Sequence, residues 1–409
     1  MCNVQSKEQI VRRDGDFSKS LWRQGVAKFA VVAMCATVFL ATGPVSAVAA
    51  SRPGLIIYTA FPTGGDSIGA VPYGPSTGAA LFAAGGIPLA NVTFPRWAPN
   101  GETFAFNDGF HIYLASRSGH LLTTLLDYPG GVGAMDWSPD GRKIAFACNS
   151  AIIDVQDDGA QMCVLNVITG TVTHLTRSSN LIYVNSTGGP ISWSPNGDEI
   201  AFSSFEMVPA CSGAYKNCVV HYAVAVVNTK SGVVSQITNY KERASEPAFS
   251  PDGHEISYYG RGTHVGLDIM STQGVYIRQV YDAATCARCE SLNSAWSPDG
   301  KMLVYAAPDK SSTINLFTVN AVGGPEKQLT TSGTDLGLPD WTALATTCTV
   351  PKVVGLAVDV AKLKIELAGC TVGTVTGPST DAAKRRVVIQ GLKQNTNVTI
   401  GSPVNIKIQ

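Results

Sequence analysis

The sequence WSPDG occupies residues 137–141 and recurs unchanged at residues 296–300. Three close variants extend the series: WAPNG at 97–101, WSPNG at 193–197 and FSPDG at 249–253. The copies follow one another at spacings of 40, 56, 56 and 47 residues. A repeat of this period is typical of architectures built from one supersecondary unit, so it sets the whole fold.

Each copy has the chemistry of a tight turn. Pro fixes φ at the second turn position, Asp or Asn bonds back to its own backbone, and Gly takes the left-handed conformation that closes the turn. The sequence after each turn alternates, as in KIAFAC at 143–148 and EISYYG at 255–260. This alternation predicts a half-buried strand. Two further strands separated by a Gly-containing turn follow, so we predict the four-stranded blades of a mainly β protein, a β-propeller.

The repeats predict six blades rather than five. A final partial unit, LPDWTAL at 338–344, supplies only the first strand of a blade. Residues 54–83 supply three strands that no aromatic turn precedes. We expect these two segments to pair and to complete one blade, because a closed ring removes the open sheet edges that invite aggregation.

The repeat resembles the TolB-like propeller family. The residues that carry the resemblance are the aromatic residue, Ser or Ala, Pro, Asp or Asn, and Gly of each copy, followed by a strand such as IAF. The resemblance covers residues 54–345, within a predicted propeller domain at 51–346. It implies the fold and leaves the function open, because this scaffold serves many roles.

Residues 1–50 have the pattern of a secretory signal peptide. Basic residues precede an uncharged run at 29–51, whose apolar core at 29–40 is too short for an ordinary spanning helix. Ala47, Val48 and Ala49 fit a small-x-small cleavage site. We therefore predict a secreted or envelope-associated protein cleaved near Ala49. The alternative is an uncleaved membrane anchor formed by residues 29–51.

Cysteine usage agrees with export. Eight cysteines follow the predicted signal peptide, and they fall into four pairs of near neighbours. An even, paired set in an exported protein indicates disulfides. The expected pairs are Cys148–Cys163, Cys211–Cys218, Cys286–Cys289 and Cys348–Cys370. A zinc site at Cys286 and Cys289 is the alternative, but it needs two further ligands and the chain has no second C-x-x-C.

Residues 347–409 predict a small α+β domain after the propeller. Val358, Ala361, Ile365 and Ala368 lie on one face of an amphipathic helix that Gly369 is placed to cap, and three short strands follow in TVGTV, RRVVIQ and PVNIKIQ. This domain resembles a PASTA domain, through VPKVVG at 350–355, AGC at 368–370 and GSPVNI at 401–406. It departs from the family at Gly391-Leu392, where Ser-Pro is usual, and at Asn395, where the turn has Gly. The resemblance implies a bacterial cell-envelope setting, and some PASTA domains bind peptidoglycan fragments.

A second apolar stripe on the same helix has no partner within so small a domain. Val360, Leu363 and Leu367 follow one another at spacings of three and four residues. A small domain covers only one side of its helix. The stripe is therefore either ordinary exposed surface or a docking face for the propeller or a partner protein.

The charges of the two predicted domains have opposite signs. Residues 348–409 hold eight Lys and Arg against three Asp and Glu, a net charge of +5. Residues 51–347 hold 16 against 24, a net charge of −8. A basic domain on an acidic body suits an anionic wall polymer such as peptidoglycan, with Lys384, Arg385 and Arg386 as candidate contacts. The alternative is an ordinary solvated loop. No basic-aromatic groove pattern predicts nucleic-acid binding.

Long loops predict where the propeller binds. The loops at 149–161, 177–190, 205–219 and 281–293 fall on one face, where we expect a protein partner. Asp154, Asp157 and Asp158 cluster in the first loop and are a candidate calcium site, although they lack the spacing of the well-known calcium loop. Glu246 is expected at the mouth of the central channel as a bare carboxylate able to meet a ligand cation.

The search for catalytic motifs finds none. The chain has no G-x-S-x-G, no H-E-x-x-H and no Gly-rich phosphate loop after a strand, so we predict no catalytic residues and no cofactor. The hypothesis is an exported, non-enzymatic envelope protein whose propeller recognises a protein or glycan and whose PASTA-like domain contacts the wall. The alternatives are an envelope polysaccharide lyase or glycosidase acting at the channel mouth, and a scaffold in a TolB-type envelope complex. Paired carboxylates or a histidine cluster at the mouth favour an enzyme, whereas an exposed apolar patch favours a protein partner.

Overall fold

The computed structural model describes most of the chain after the predicted signal peptide. The described residues are 54–61, 65–73, 80–81, 91–148, 160–176, 183–184, 189–207, 220–284, 286, 289, 291–331, 334–343, 345–378 and 385–409. Within these ranges, no helix is both long enough and apolar enough to cross a bilayer.

Six antiparallel sheets of four or five strands make up most of the strand residues that the structure describes. Strands are numbered in chain order. Sheet 1 contains β1 (Leu55–Phe61), β2 (Ser67–Pro72), β3 (Ala80–Leu81) and β25 (Asp335–Thr342). Sheet 2 contains β4 (Thr93–Trp97), β5 (Thr103–Asn107), β6 (His111–Ser116) and β7 (Leu121–Asp127). Sheet 3 contains β8 (Val132–Trp137), β9 (Lys143–Cys148), β10 (Gln161–Asn166) and β11 (Val172–His174).

The remaining three sheets repeat this order. Sheet 4 contains β12 (Tyr183–Val184), β13 (Ser192–Trp193), β14 (Glu199–Met207), β15 (Val220–Asn228) and β16 (Val234–Gln236). Sheet 5 contains β17 (Ser245–Phe249), β18 (Glu255–Arg261), β19 (Val265–Ser271) and β20 (Tyr276–Asp282), and a 3₁₀ helix (Tyr240–Glu242) precedes it. Sheet 6 contains β21 (Ser294–Trp296), β22 (Met302–Pro308), β23 (Ile314–Asn320) and β24 (Lys327–Gln328). Consecutive antiparallel strands of this kind fit a β-propeller.

Sheet 1 joins the two ends of the propeller sequence. Strand β1 pairs antiparallel with β25, with Ile56 opposite Trp341 and Leu55 opposite Thr342. The strand order β25-β1-β2-β3 places the last strand of the series beside the first. The expected pairing of residues 338–344 with residues 54–83 is therefore confirmed.

The repeated turns have the conformation that their sequence predicts. The motif glycine has a φ between 66° and 80° in all five copies. Where the second residue is Ser, its hydroxyl donates to the Asp or Asn two residues later, as from Ser138 to Asp140 at 2.7 Å and from Ser250 to Asp252 at 2.6 Å. The same Ser oxygen accepts the N–H that opens the next strand, as from Lys143 at 2.9 Å. The motif acids recur because the turn uses them.

The described part of the C-terminal unit contains one helix and two small sheets. Its elements are β26 (Thr347–Thr349), α1 (Val358–Leu367), β27 (Thr371–Thr376), β28 (Val387–Gln390), β29 (Asn397–Thr399) and β30 (Pro403–Ile408). Strand β30 lies between β27, to which it is parallel, and β28, to which it is antiparallel, while β26 pairs with β29.

The helix and strands expected from the sequence are confirmed. Val358, Ala361 and Ile365 are buried in the core of the C-terminal unit, whereas Ala368 lies just past the last helical residue and is half-buried. Gly369 has a φ of 74° and caps the helix, and Asn395 takes the left-handed conformation with a φ of 63°.

Three of the four expected disulfides are present. They join Cys148 to Cys163, Cys286 to Cys289 and Cys348 to Cys370. The fourth expected pair, Cys211 and Cys218, lies outside the described residues. Because Cys286 and Cys289 are bonded to each other, neither offers the thiolate that a zinc site requires.

Candidate functional site

The six sheets surround a central cavity of about 210 Å³. Each sheet contributes one equivalent residue to the lining of this cavity. That residue directly precedes the buried aromatic residue at or near the end of the innermost strand. We call this set the channel ring, and its members are Arg96, Asp136, Ser192, Ala248, Ala295 and Asp340. Because the motif repeats, positions far apart in sequence come together at one site.

Two carboxylates of the channel ring bind neighbouring sheets to each other. Asp136 Oδ2 accepts the backbone N–H of Trp193 at 2.6 Å, and its Oδ1 accepts that of Trp137 at 2.9 Å. Asp340 Oδ2 accepts the N–H of Trp97 at 2.6 Å, and its Oδ1 accepts that of Trp341 at 3.0 Å. Both side chains therefore hold their own strand and the next sheet in register.

Ser192 performs the same role without a charge. Its hydroxyl oxygen accepts the backbone N–H of Phe249 at 2.9 Å, which joins sheet 4 to sheet 5. Ala248 and Ala295 complete this side of the ring with methyl groups. The ring is therefore charged on one side and neutral on the other.

Arg96 stands between the two aspartates in the order of the sheets. Only 5% of this residue is exposed, and its Nη1 donates to the carbonyl of Pro95 at 3.0 Å. Burial raises the pKa of Asp136 to about 7 and also raises that of Asp340, while the charge of Arg96 acts in the opposite direction on both. The guanidinium thus offsets part of the cost of burying two carboxylates.

Glu246 is not the bare carboxylate that the sequence predicts. The residue is 5% exposed and has a φ of 60°, at a bulge in the pairing of β17 with β18. Its N–H donates to Ser203 Oγ at 2.8 Å, and its Oε2 accepts the N–H of Leu292 at 3.0 Å. Burial raises the pKa of Glu246 to about 7. The bulge turns the side chain into the packing between sheets, where Glu246 links sheets 4 and 5 to the segment that leads into β21.

The other candidate residues are only partly described. Asp154, Asp157, Asp158 and Lys384 lie outside the described residues. Arg385 is half-buried and Arg386 is exposed, directly before β28. The backbone N–H of Arg386 donates to the carbonyl of Gln409 at 3.2 Å, so this part of the basic run is fixed to the last strand.

A cluster around His111 was not singled out by the sequence. Nδ1 of His111 lies 2.9 Å from Asp108 Oδ2, and Nε2 lies 3.6 Å from Asp127 Oδ1. The hydroxyl of Tyr113 donates to Asp108 at 2.9 Å. Neither a serine nor a cysteine is among the described partners of His111. The sequence could have indicated this cluster, because the tight hairpin between β5 and β6 places Asp108 three residues before His111. Phe110 lies between them and is 48% exposed.

Among the described residues, Cys148, Cys163 and His174 form the one group with donor atoms close enough for a metal. The two sulfurs are bonded to each other, and His174 Nδ1 lies 3.0 Å from Gln161 Oε1. The disulfide leaves this group without thiolate ligands, so it is a structural contact.

The six sheets and the cavity that they line fit a β-propeller, and solved structures of TolB share this fold. The chain is similar to the crystal structure of TolB from Acinetobacter baumannii, with a TM-score of 0.53 and 18% identity over 70% of this chain and 66% of that one. It is also similar to a putative TolB from Agrobacterium tumefaciens, with a TM-score of 0.45 and 17% identity over 70% of this chain and 91% of that one. At these identities the first likeness shows the fold alone.

The similarity of the sequence to known proteins is more limited than the similarity of the fold. No model of a known protein family matches the chain. Over 190 residues, the chain is 28% identical to a Bacillus subtilis (strain 168) protein named "Uncharacterized peptidase YuxL". The match covers 45% of this chain and 24% of that protein, so the chain spans about a quarter of the length of this relative.

Proposed function

We propose that this chain is an exported binding protein of the bacterial cell envelope. In this proposal, residues 51–346 form a six-bladed propeller that recognises a protein or glycan, and residues 347–409 form a PASTA-like domain that contacts peptidoglycan. The three disulfides support an oxidising compartment outside the cytoplasm. The helix and three-stranded sheet of the C-terminal unit support the PASTA-like assignment.

One observation carries the choice of binding over catalysis. Both carboxylates of the channel ring are engaged by backbone N–H groups of two sheets, and Glu246 is buried between sheets. A general acid or base must reach a substrate proton within hydrogen-bonding distance. These side chains instead hold the ring together, which supports a rigid scaffold that presents loops to a partner.

The proposed recognition face is the one that carries the connections between second and third strands. Phe110 lies there, 48% exposed between β5 and β6, beside His111. Exposed aromatic side chains are favoured anchors in protein interfaces. Val322, 82% exposed in the turn between β23 and β24, lies on the opposite face and provides a matched position.

Affinity capture from envelope extracts tests the proposed recognition face. We expect Phe110→Asp to reduce the yield of the captured partner at least about tenfold, since a central interface aromatic contributes about 2 kcal/mol or more. Val322→Asp introduces the same charge on the other face and should leave capture unchanged. Equal loss in both variants, or capture insensitive to both, would contradict recognition at this face.

The enzymatic alternative has one observation in its favour. Asp136 is a carboxylate with a pKa of about 7 that lines the central cavity beside Arg96, and perturbed groups of this kind cluster at catalytic sites. The named relative is also called a peptidase. A screen of peptide and acidic polysaccharide substrates with the wild type and Asp136→Asn decides between the two. Turnover that the substitution abolishes without loss of folding would establish an enzyme and overturn the binding proposal.

A further inference from the structure

The turn at residues 97–101 differs from the other four copies at its second position. The other copies have Ser there, and each Ser hydroxyl donates to the Asp or Asn of its own turn. These hydrogen bonds join Ser138 to Asp140, Ser194 to Asn196, Ser250 to Asp252 and Ser297 to Asp299, at 2.6–2.7 Å. Ala98 has no hydroxyl, so this turn has to be closed in another way.

Asn100 makes the hydrogen bond that Ser makes in the other turns. Its Oδ1 accepts the backbone N–H of Glu102 at 2.7 Å and that of Thr103 at 3.0 Å. In the four other turns, the second of these N–H groups is bound by Ser, as Met302 is by Ser297 at 2.9 Å. Oδ1 of Asn100 therefore closes the turn. Its amide nitrogen donates to Thr103 Oγ1 at 3.0 Å and has a second hydrogen for contacts outside the turn.

That amide nitrogen binds the end of α1 in the C-terminal unit. Asn100 Nδ2 donates to the carbonyl of Leu367 at 3.1 Å and lies 3.3 Å from that of Glu366. The last four carbonyls of a helix lack partners within the helix and carry the negative end of its dipole. In α1 the carbonyls of Lys364, Ile365 and Glu366 accept backbone N–H groups of residues 368–370, and the amide of Asn100 satisfies that of Leu367. The carboxylate found at this position in three of the other turns would instead be repelled.

An apolar contact lies beside this hydrogen bond. Leu363 and Leu367 pack against the hydrophobic cluster formed mainly by sheets 2 and 3. Leu122 and Leu125 of β7 pack against the same cluster. Leu363 and Leu367 are two of the three residues in the second stripe of α1. The stripe therefore docks on the propeller, and the alternative of an ordinary exposed surface is wrong for both leucines.

We propose that the turn at residues 97–101 is a specialised docking turn for the C-terminal unit of this chain. Its Ala98 departs from the repeat, and its Asn100 replaces the Asp of three other copies, so that the turn caps α1, while Leu363 and Leu367 supply the apolar part of the contact. The docking turn holds the C-terminal unit in a fixed position on the propeller. A ligand bound to the propeller and a ligand bound to the C-terminal unit are then held at a constant distance from each other, whatever the two ligands are.

The repeat itself supplies the variant that tests this. Ala98→Ser combined with Asn100→Asp converts WAPNG into WSPDG, which the chain already uses twice as a stable turn. The propeller should therefore melt as the wild type does. The last turn of α1 and strand β7 should exchange their amide hydrogens at least about tenfold faster, because the amide donor of Asn100 is lost and a carboxylate faces the carbonyls.

Asn196→Asp is the matched control. It makes the same chemical change in the WSPNG turn, where Ser194 binds residue 196 and that residue is exposed. Hydrogen exchange in α1 and β7 should remain at the wild-type rate. Unchanged exchange in the double variant, or equal acceleration in the control, would overturn the docking turn. The unchanged melting temperature of the propeller separates a loss of docking from a general loss of folding.

Discussion

The carboxylate of Asp340 accepts the backbone N–H of Trp97 at 2.6 Å, which joins the last strand of the propeller to the first motif turn. The two residues are 243 positions apart. Ring closure therefore has two parts, the pairing of β25 with β1 and this hydrogen bond to sheet 2. Asp136 and Trp193 repeat the same relationship two sheets further on.

Removing the Asp340 carboxylate should destabilise the whole ring. Asp340→Ala leaves the N–H groups of Trp97 and Trp341 without this acceptor, and an unmade hydrogen bond at a buried group costs about 1–3 kcal/mol. We expect the free energy of unfolding in urea to fall by about that amount. Asp127→Ala removes an exposed carboxylate and should change it by less than about 0.5 kcal/mol. Equal effects of the two substitutions would contradict the closing role of Asp340.

Asp268 should make stability depend on pH. It is 1% exposed in β19, and its Oδ1 has no hydrogen-bond partner among the described residues. Burial raises the pKa of Asp268 to about 7, and Asp282 and Glu242 add to the rise. A raised carboxyl pKa means that the folded state binds the proton more tightly than the unfolded state. The contribution of Asp268 to the free energy of unfolding is therefore fully present below the pKa of the unfolded state, and it is lost as the pH rises through about 7.

Asp268→Asn removes that charge at every pH. We expect the variant to be more stable than the wild type at pH 8, by about 1 kcal/mol, and to show little or no gain at pH 5. Urea unfolding at the two pH values measures the difference. Asp359→Asn, at an exposed position in α1, serves as the control and should shift both values equally. A gain of the same size at pH 5 and pH 8 would argue against a buried ionised Asp268.

The disulfide between Cys348 and Cys370 should matter most to the C-terminal unit. It is closed over a sequence separation of 22 residues, and removing such a link costs about 3 kcal/mol in the chain-entropy model. The Cys348→Ser and Cys370→Ser pair should therefore lower the denaturation midpoint of this unit. The equivalent pair at Cys286 and Cys289 is separated by only three residues and should cost roughly half as much. The reverse order would contradict this account.

The leucines of the docking face should contribute to stability although they lie on the surface of their own unit. Leu363→Ser with Leu367→Ser should cost about 1 kcal/mol per residue, because each side chain is half-buried against the propeller. Ile389→Ser, 54% exposed in the same unit, should be nearly neutral. Thermal unfolding followed by circular dichroism measures all three. Neutral behaviour of the leucine pair would mean that the contact adds no net stability.

The repeated turn made most of the fold predictable. Pro, Asp or Asn, and Gly act locally, so five copies of the motif specify where strands begin, and the two unmatched ends specify the closure. The helix of the C-terminal unit was equally clear, since Val358, Ala361 and Ile365 form one stripe and Gly369 ends it.

The candidate site was less predictable because it depends on contacts between distant residues. The position of Glu246 in sequence places it at the channel, but its left-handed backbone turns it into the packing between sheets. The pairing of Asp136 with Trp193 spans 57 residues and has no local signature. Ala98 was visible as a departure from the repeat, yet the partner of its turn, the end of α1, became evident only in three dimensions.

Contact with the cell wall is the central claim, and binding to purified sacculi tests it most directly. The full chain should co-sediment with sacculi in a saturable manner that weakens with salt, since the basic C-terminal unit faces an anionic polymer. Arg386→Glu should weaken binding at least about tenfold, while Lys327→Glu, the same charge change on an exposed propeller strand, should have little effect. Absence of saturable binding, or equal weakening by the two substitutions, would contradict wall contact through the C-terminal unit.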